Sequence, residues 1–281
     1  MKIKHFGAAF VIAGLTSVNT SCSGGDQPQQ PAQEDSVAVS PEDEPAEEVD
    51  ASFNYKKESV ERKFKTITST ITVDYATEGN EQLVNAINEY INKELGGRYK
   101  SDLKDVKEML NFYANVYLDE LKHDWEEGAS CAREKRVLFN NETNNFISYT
   151  SFFYSYSGGA HGTSGEDGAT FRKSDGKQLN WDMFNANNNE FKQLIKEGVK
   201  AYFEENSKEK IKNDDALKEL LLNVEDVNNM PLPTSAPYFS NKGLVIHYGQ
   251  YEIACYAMGE PEVVIPFATA KKFIKEPGFL Y

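Results

Sequence analysis

The stretch between Cys22 and Phe53 limits the possible fold more than any other feature, because it has almost nothing to bury. Residues 23–52 contain nine acidic side chains and no lysine, arginine or aromatic residue. A segment of low hydrophobicity and high net charge cannot offset the entropy of ordering its chain, and its like charges repel one another. The sequence therefore predicts a disordered acidic tether over residues 22–52 and a folded part that begins at residue 53.

The residues before the tether have the layout of a signal peptide. Lys2 and Lys4 form a positive head, and an apolar run follows over residues 6–18. That run is too short to span a bilayer, which takes about 20 apolar residues. The segment ends at Cys22 in "NTSC", which resembles the lipobox of bacterial lipoproteins, although Asn19 stands where leucine or a similar residue is usual.

The lipobox resemblance implies that residues 1–21 are removed and that Cys22 is acylated, as with palmitate. Two or three acyl chains hold a soluble domain at a membrane, since each buried methylene contributes about 0.8 kcal/mol. The expected location is the bacterial cell envelope, at its periplasmic face or at the cell surface. Ordinary secretion, with Cys22 incidental, is the alternative.

The charge of the folded part argues against nucleic acid as a partner. The whole chain carries −14, of which the basic head contributes +2 and the tether −9, so that −7 remains on residues 53–281. Nucleic-acid binding requires a basic face. A mildly acidic domain is compatible with a cationic partner instead.

The folded part contains two cysteines, Cys131 and Cys255. In an oxidising envelope, a remaining pair of this kind is more often a disulfide than a metal site. A Cys131–Cys255 disulfide is therefore expected, and two unpaired buried thiols are the alternative.

Hydrophobic periodicity predicts strands and helices in alternating blocks. In the first half, the predicted elements are extended chain over 53–75, helices over 80–96 and 102–126 with Asn80 and Ser101 as N-caps, and strands over 131–140, 145–157 and 168–172. In the second half, they are helices over 188–205 and 214–223, a hairpin in "YFSNKGLVIHYG", a strand in "PEVVIPF" and a helix over 268–275. This pattern is typical of an α+β fold with antiparallel sheets packed against helix pairs, here in two closely associated subdomains.

Three blocks in the second half carry a family resemblance. "SYSGGAHG", "DGKQLNWDMF" and "NKGLVIHYGQYEIACYAMGEPEVVIPF" resemble the domain of unknown function 3298, here over residues 156–281. Residues 53–155 are similar to its usual companion, domain 4163. The pair resembles the extracytoplasmic part of RsiV-type receptors, which sense lysozyme, and the companion also precedes peptidoglycan deacetylases of the PdaC type. The resemblance implies an α+β fold and a function in the cell envelope, and it supplies no catalytic motif.

The chain departs from these relatives in three respects. Five residues precede the apolar run, so a cytoplasmic sigma-binding segment is not expected. The metal site of the deacetylases lies in a separate downstream domain that this chain is not expected to carry. In "YEIACYA", Cys255 stands where the family pattern has proline.

The stretch "YSYSGGAHGTSGEDG", residues 154–168, is the best candidate for a ligand site. A histidine can carry protons near neutral pH, and glycines let backbone amides approach a ligand closely. If the blocks meet in space, the candidate cleft consists of Tyr154, Tyr156, His161, Tyr251 and Glu252. Both residues could instead have structural roles. His161 could form hydrogen bonds that fix a glycine-rich turn, and Glu252 could be buried in an ion pair or cap a backbone segment.

The chemistry of this stretch favours binding over catalysis. It contains no GxSxG elbow, and the chain has no HExxH motif and no calcium-loop spacing. Neither a metal nor a cofactor is expected. The sequence therefore predicts a lipid-anchored envelope protein that binds a protein, such as a lysozyme-like one, or a peptidoglycan-related partner without covalent chemistry. The alternative is an envelope hydrolase or deacetylase that acts on cell-wall glycan through a cleft centred on His161.

Overall fold

The computed structural model describes residues 53–123 and 125–279. These residues fall within one compact unit, 49–281. The predicted signal peptide, the predicted acylation site Cys22 and the predicted acidic tether lie outside the described residues.

A five-stranded sheet forms the first part of the fold. Its strands are β1 (Asn54–Phe64), β2 (Ile67–Glu78), β3 (Cys131–Glu142), β4 (Phe146–Tyr156) and β5 (Thr163–Arg172), in the order β1-β2-β3-β4-β5. The pairs are antiparallel except for β2 and β3, which run parallel. In β2, the alternate residues Ile67, Ser69, Ile71 and Val73 are buried, as the period of a strand with one covered face requires.

Two helices, α1 (Glu81–Glu94) and α2 (Val106–His123), form the connection from β2 to β3. A parallel pair needs such a long crossover. As predicted, Asn80 caps α1, because its side chain accepts a hydrogen bond from the backbone N–H of Gln82. The apolar stripe of α1, which includes Leu83, Ile87 and Ile91, packs into the core of the sheet.

The start predicted for α2 was wrong. The helix begins at Val106 and not at Asp102, and Ser101 does not cap it. Asp102 instead accepts a hydrogen bond from the N–H of Lys104 in a turn, and the carboxylate of Asp105 accepts one from the N–H of Glu108. Aspartate competes well for free N–H groups at helix starts, so the helix begins directly after Asp105.

The second part contains a three-stranded antiparallel sheet and a long helix. Its elements are α3 (Asn189–Ser207), α4 (Asp214–Lys218), β6 (Tyr238–Ser240), β7 (Gly243–His247), β8 (Glu262–Ile265) and α5 (Phe267–Ala270). Short 3-10 turns occur at Trp181–Met183, Val227–Asn229, Tyr256–Met258 and Pro277–Phe279. The stripe Phe191, Ile195, Val199 and Phe203 of α3 lies in one core with residues of β7 and β8.

Strand β4 joins the two parts, because its first residues are buried on both faces. Phe146 packs in the core of the second part, whereas Ile147 and Tyr149 pack under α1 and α2. The predicted α+β class with mainly antiparallel sheets is confirmed. None of the described helices is long and apolar enough to cross a membrane.

The predicted disulfide was wrong, since Cys131 and Cys255 are both free thiols. Cys131 begins β3 and is buried against Ile67, Leu118 and Leu121. Cys255 is exposed, next to the 3-10 turn at Tyr256–Met258 in the other part. The two cysteines therefore belong to different local environments.

Candidate functional site

The glycine-rich stretch 154–168 forms the end of β4, a turn and the start of β5. Ser155 pairs with Thr163 at the open end of the ladder, and Gly158 and Gly159 have φ angles of 102° and 93° in the turn. These positive φ values favour glycine. A side chain at position 162 would collide with the ring of Tyr154, because its Cβ would lie 2.5 Å from that ring.

His161 is exposed in this turn and stacks on an aromatic ring that is not part of the predicted cleft. Its ring lies 4.5 Å from that of Tyr256, at 23°. Its Nδ1 lies 3.1 Å from the carbonyl oxygen of Gly162, which also accepts a hydrogen bond from the hydroxyl of Tyr256 at 3.4 Å. Tyr251, 6.3 Å from Tyr256, is 55% exposed and has a φ of 64°, which is strained for a tyrosine. His161, Tyr256 and Tyr251 thus form an exposed aromatic stack.

The other candidate residues have local structural contacts. Tyr156 donates a hydrogen bond to the carbonyl oxygen of Gly159 (3.0 Å) within the turn. The carboxylate of Glu252 accepts hydrogen bonds from the N–H (2.5 Å) and hydroxyl (2.8 Å) of Thr234 and from the N–H of Gly249 (2.9 Å). Glu252 therefore holds two loops together.

A groove lies on the sheet beside this turn, and it consists of two clefts that share Glu94, Lys135 and Phe153. The arginine cleft has a volume of about 340 Å³ and is also lined by Arg98, Arg133 and Tyr154. The acidic cleft has a volume of about 450 Å³ and is also lined by Ser164, Glu166, Asp167, Ser235, Gln250 and Glu260. Both volumes are in the range of small-ligand sites, about 300–1,000 Å³.

The ring of Phe153 divides the groove and is 39% exposed. Phe153 pairs with Gly165 of β5, and a Cβ at position 165 would lie 2.5 Å from the phenyl ring. Glycine at this position thus lets the ring pack closely against β5. The result is an apolar platform between two polar clefts.

The floor of the groove is a partly buried ion pair. Lys135 donates to the Oε2 of Glu94 at 3.0 Å, and the hydroxyl of Ser151 donates to the same oxygen at 2.6 Å. The two charged side chains are 11% and 16% exposed. Because Glu94 ends α1 while Lys135 and Ser151 lie on β3 and β4, this cluster fixes the helix end against the sheet.

The electrostatics differ between the clefts. In the arginine cleft, Arg98 and Arg133 both pair with Glu120. In the acidic cleft, burial raises the pKa of Asp167, although the hydroxyl of Ser235 and the N–H of Gly168 each donate to its carboxylate at 2.7 Å. His247 lies 3.3 Å from Glu260 at the same end of the groove.

Replacing Asp167 with asparagine is expected to stabilise the protein more at pH 7 than at pH 3. Because burial raises the pKa of Asp167 in the folded state, the unfolded chain loses this proton first as the pH rises, and stability falls across that window. Asparagine has no proton to lose, so the variant should not show this fall in stability. Denaturant midpoints of both proteins between pH 3 and pH 7 measure the difference.

Asp175→Asn is the control of opposite sign. The Arg172 guanidinium, which donates hydrogen bonds to the Asp175 carboxylate, lowers the pKa of Asp175. Wild-type protein should therefore gain stability over this variant as the pH rises. If stability relative to wild type changed with pH in the same direction in both variants, the burial of Asp167 and the pairing of Asp175 with Arg172 could not both be correct.

The groove residues Glu94, Lys135, Phe153 and Asp167 are not predicted as a set from the sequence. One signal was available: Arg133 and Lys135 occupy the same face of β3 as the buried Cys131 and Val137, where alternation predicts apolar residues. Among the described residues, no group of three or more His, Cys, Asp or Glu side chains is arranged to hold a metal ion.

The fold and the groove define an α+β protein with a groove of small-ligand size, one cleft of which includes residues of both parts. Residues 61–164 match the family model "Deacetylase PdaC", and residues 182–268 match "Protein of unknown function (DUF3298)". The chain thus combines a PdaC-type region with a DUF3298-type region, which indicates an envelope-related protein. No curated protein matches the chain.

Two solved structures support the fold. A DUF3298-family protein from Bacteroides fragilis superposes with a TM-score of 0.59 at 19% identity, covering 81% of this chain and 96% of that one. A DUF3298-family protein from Pseudomonas aeruginosa PAO1 gives 0.56 at 15% identity, with 82% and 96% covered. At these identities, the likeness concerns the fold.

Proposed function

We propose that this is a lipid-anchored envelope protein that binds a peptidoglycan-type glycan in the groove around Phe153, without covalent chemistry. The acidic cleft of the groove lies where the two family regions meet: Lys135 and Phe153 belong to the PdaC-type match, whereas Ser235 and Glu260 belong to the DUF3298 match. Ligand sites occur preferentially at such junctions. Both regions therefore contribute to one binding site.

The observation that carries the proposal is the exposed ring of Phe153 between two clefts lined by hydrogen-bonding groups. A pyranose has apolar C–H faces and a rim of hydroxyls, so it fits a flat aromatic ring flanked by polar side chains. Aromatic side chains provide much contact area at little cost in conformational entropy. Two adjoining clefts that share this ring suit two or more linked sugars.

The membrane anchor in this proposal is Cys22. A flexible tether of the length of residues 23–52 has a root-mean-square reach of about 30 Å, and its charges extend it further. The groove would then lie within reach of wall material next to the membrane. Mass spectrometry of the mature N-terminus tests the anchor directly: an unmodified Cys22 contradicts it, and Cys22→Ser is expected to release the protein from the membrane.

Phe153→Ala is expected to reduce retention on insoluble peptidoglycan about two- to tenfold, since one stacking contact contributes about 0.5–1.5 kcal/mol. A pull-down with purified sacculi and the soluble domain measures the retained fraction. Phe64→Ala is the matched control, because Phe64 is 41% exposed and lies at the β1–β2 turn, outside the lining of both clefts. Equal retention of the two variants would refute the groove as the glycan site.

A cationic protein, such as a lysozyme-like one, is the second candidate partner. The charge of −7 on residues 53–281 and the acidic cleft favour it. If the soluble domain bound lysozyme in a pull-down and was not retained on sacculi, a protein partner would replace the glycan in this proposal. Turnover of a glycan substrate that is lost in His161→Ala would contradict binding without covalent chemistry.

A further inference from the structure

We propose that the exposed aromatic stack is a second sugar-binding platform, which extends the groove so that it holds a longer stretch of glycan than the ring of Phe153 alone. This inference rests on the proposed glycan function, and the groove remains the principal site. The ring that makes the added contact is that of Tyr251, which is 55% exposed. Tyr256 lies beside it, with 6.3 Å between the ring centroids, and His161 stacks on Tyr256 at 4.5 Å.

The stack borders the acidic cleft through two loops. Gln250 lines the cleft and directly precedes Tyr251. Thr163 also lines the cleft and directly follows Gly162, whose carbonyl oxygen accepts a hydrogen bond from the hydroxyl of Tyr256 at 3.4 Å. A ligand that fills the acidic cleft therefore lies next to the stack.

The two aromatic platforms are separated along the sheet. Phe153 pairs with Gly165, whereas Thr163 begins β5 next to the stack. A strand rises about 3.4 Å per residue, so these two positions are about 7 Å apart along β5. A glycan that follows the cleft would therefore meet the two platforms with different sugars.

The backbone of Tyr251 indicates that its ring serves a contact and not the folding of the loop. The N–H of Glu252 donates to the carbonyl oxygen of Gly249 at 3.1 Å, so residues 249–252 form a tight turn. Tyr251 is the third residue of this turn and has a φ of 64°, a conformation that favours glycine. Because most of the ring is exposed, packing does not compensate for this strain. Backbone strain of this kind is concentrated at functional sites.

The loop that presents the ring is held in place by its neighbours. The carboxylate of Glu252 accepts hydrogen bonds from Thr234 and from the N–H of Gly249. Ile253 is fully buried, and its carbonyl oxygen accepts a hydrogen bond from the N–H of Leu222 at 2.9 Å. A loop that is already ordered loses little conformational entropy when a ligand binds. The ring is therefore well placed to stack on a sugar.

Titration of the soluble domain with N-acetylglucosamine oligomers tests the platform. Tyr251→Gly removes the ring and relieves the backbone strain, so this variant should be at least as stable as the wild type in chemical denaturation. It is expected to bind the hexamer about two- to tenfold more weakly, the effect of one lost stacking contact. The dimer is expected to occupy the platform at Phe153 and to bind equally well to both proteins. Phe153→Ala should weaken the binding of both oligomers.

Two variants control for the strain and for the hydroxyl group. Asn223→Gly relieves a similar φ of 57° at an exposed position outside the lining of both clefts, and it should leave binding unchanged. Tyr251→Phe keeps the ring and should bind the hexamer as the wild type does. A Tyr251→Phe variant as weak as Tyr251→Gly would mean that the hydroxyl makes the contact, which overturns the stacking platform.

The remaining outcomes separate this inference from the proposed function. Unchanged hexamer binding by Tyr251→Gly, with a loss in Phe153→Ala, overturns the platform while the groove stands. Equal losses for dimer and hexamer in Tyr251→Gly would give the ring a structural role and also overturn the platform. If the wild type is retained on sacculi but binds neither oligomer, equal retention of Tyr251→Gly overturns it. Neither oligomer binding nor retention on sacculi by the wild type refutes both the platform and the proposed function.

Discussion

Lys135→Met is expected to lower the free energy of unfolding by about 3–5 kcal/mol, the cost of removing one partner from a buried ion pair. Methionine nearly preserves the volume of the lysine stem, so the loss arises from the charge. The carboxylate of Glu94 would remain only 16% exposed, and among the described residues the hydroxyl of Ser151 would be its one remaining hydrogen-bond donor. Chemical denaturation of the soluble domain measures the change.

Combining Lys135→Met with Glu94→Gln should restore most of the lost stability, because no uncompensated charge then remains. The matched control is Lys63→Met, since Lys63 pairs with Glu61 at the surface, where the side chains are 64% and 50% exposed. Exposed pairs contribute about 0–1 kcal/mol. A Lys135→Met variant as stable as the control would show that the floor of the groove is well hydrated, which would contradict the buried pair.

The local elements of this fold could be predicted from short-range patterns. The stripe of Leu83, Ile87 and Ile91 and the cap at Asn80 identify α1, and alternation identifies β2. A turn over residues 143–145 separates β3 from β4, which agrees with the two strands predicted over 131–140 and 145–157. These features depend on contacts within a few residues, which the sequence displays directly.

The arrangement of the elements could not be predicted in the same way. The parallel pairing of β2 with β3 depends on how α1 and α2 pack, and the double burial of β4 depends on a second core formed by residues far along the chain. Ser101 and Asp105 both qualify as N-caps, and only the packing of the helix determines which start is used. The free cysteines follow from the same long-range geometry.

The groove was missed because its residues come from four separate elements and a loop. Glu94 ends α1, Lys135 lies on β3, Phe153 on β4 and Asp167 on β5, while Ser235 comes from the loop before β6. Each is unremarkable in its own segment. An interior lysine and a buried aspartate are less favourable for stability than apolar residues at the same positions, and such departures concentrate at functional sites. This cost supports the groove over the exposed stack at His161 as the binding site.

Tyr113→Phe is expected to lower the free energy of unfolding by about 2–5 kcal/mol, because it deprives two backbone N–H groups of their acceptor. The hydroxyl of Tyr113 accepts hydrogen bonds from the N–H groups of Arg98 (2.7 Å) and Tyr99 (3.0 Å) and donates one to the side chain of Asn92 (2.6 Å). It thereby fixes the loop that follows α1. Without these hydrogen bonds, the backbone amides of this loop should exchange hydrogen faster. Because Arg98 belongs to the loop and lines the arginine cleft, the change would also reach that cleft.

Two other tyrosine variants provide a comparison for the size of this loss of stability. Tyr117→Phe removes a single hydrogen bond to the carbonyl of Leu95 and should cost about 1 kcal/mol. Tyr156→Phe removes an exposed bond within the β4–β5 turn and should change stability by less than about 0.5 kcal/mol. If Tyr113→Phe costs no more than Tyr117→Phe, the two N–H groups must find other acceptors, and the loop is then held by the apolar packing of Leu95 and Tyr99 in the core of the first part.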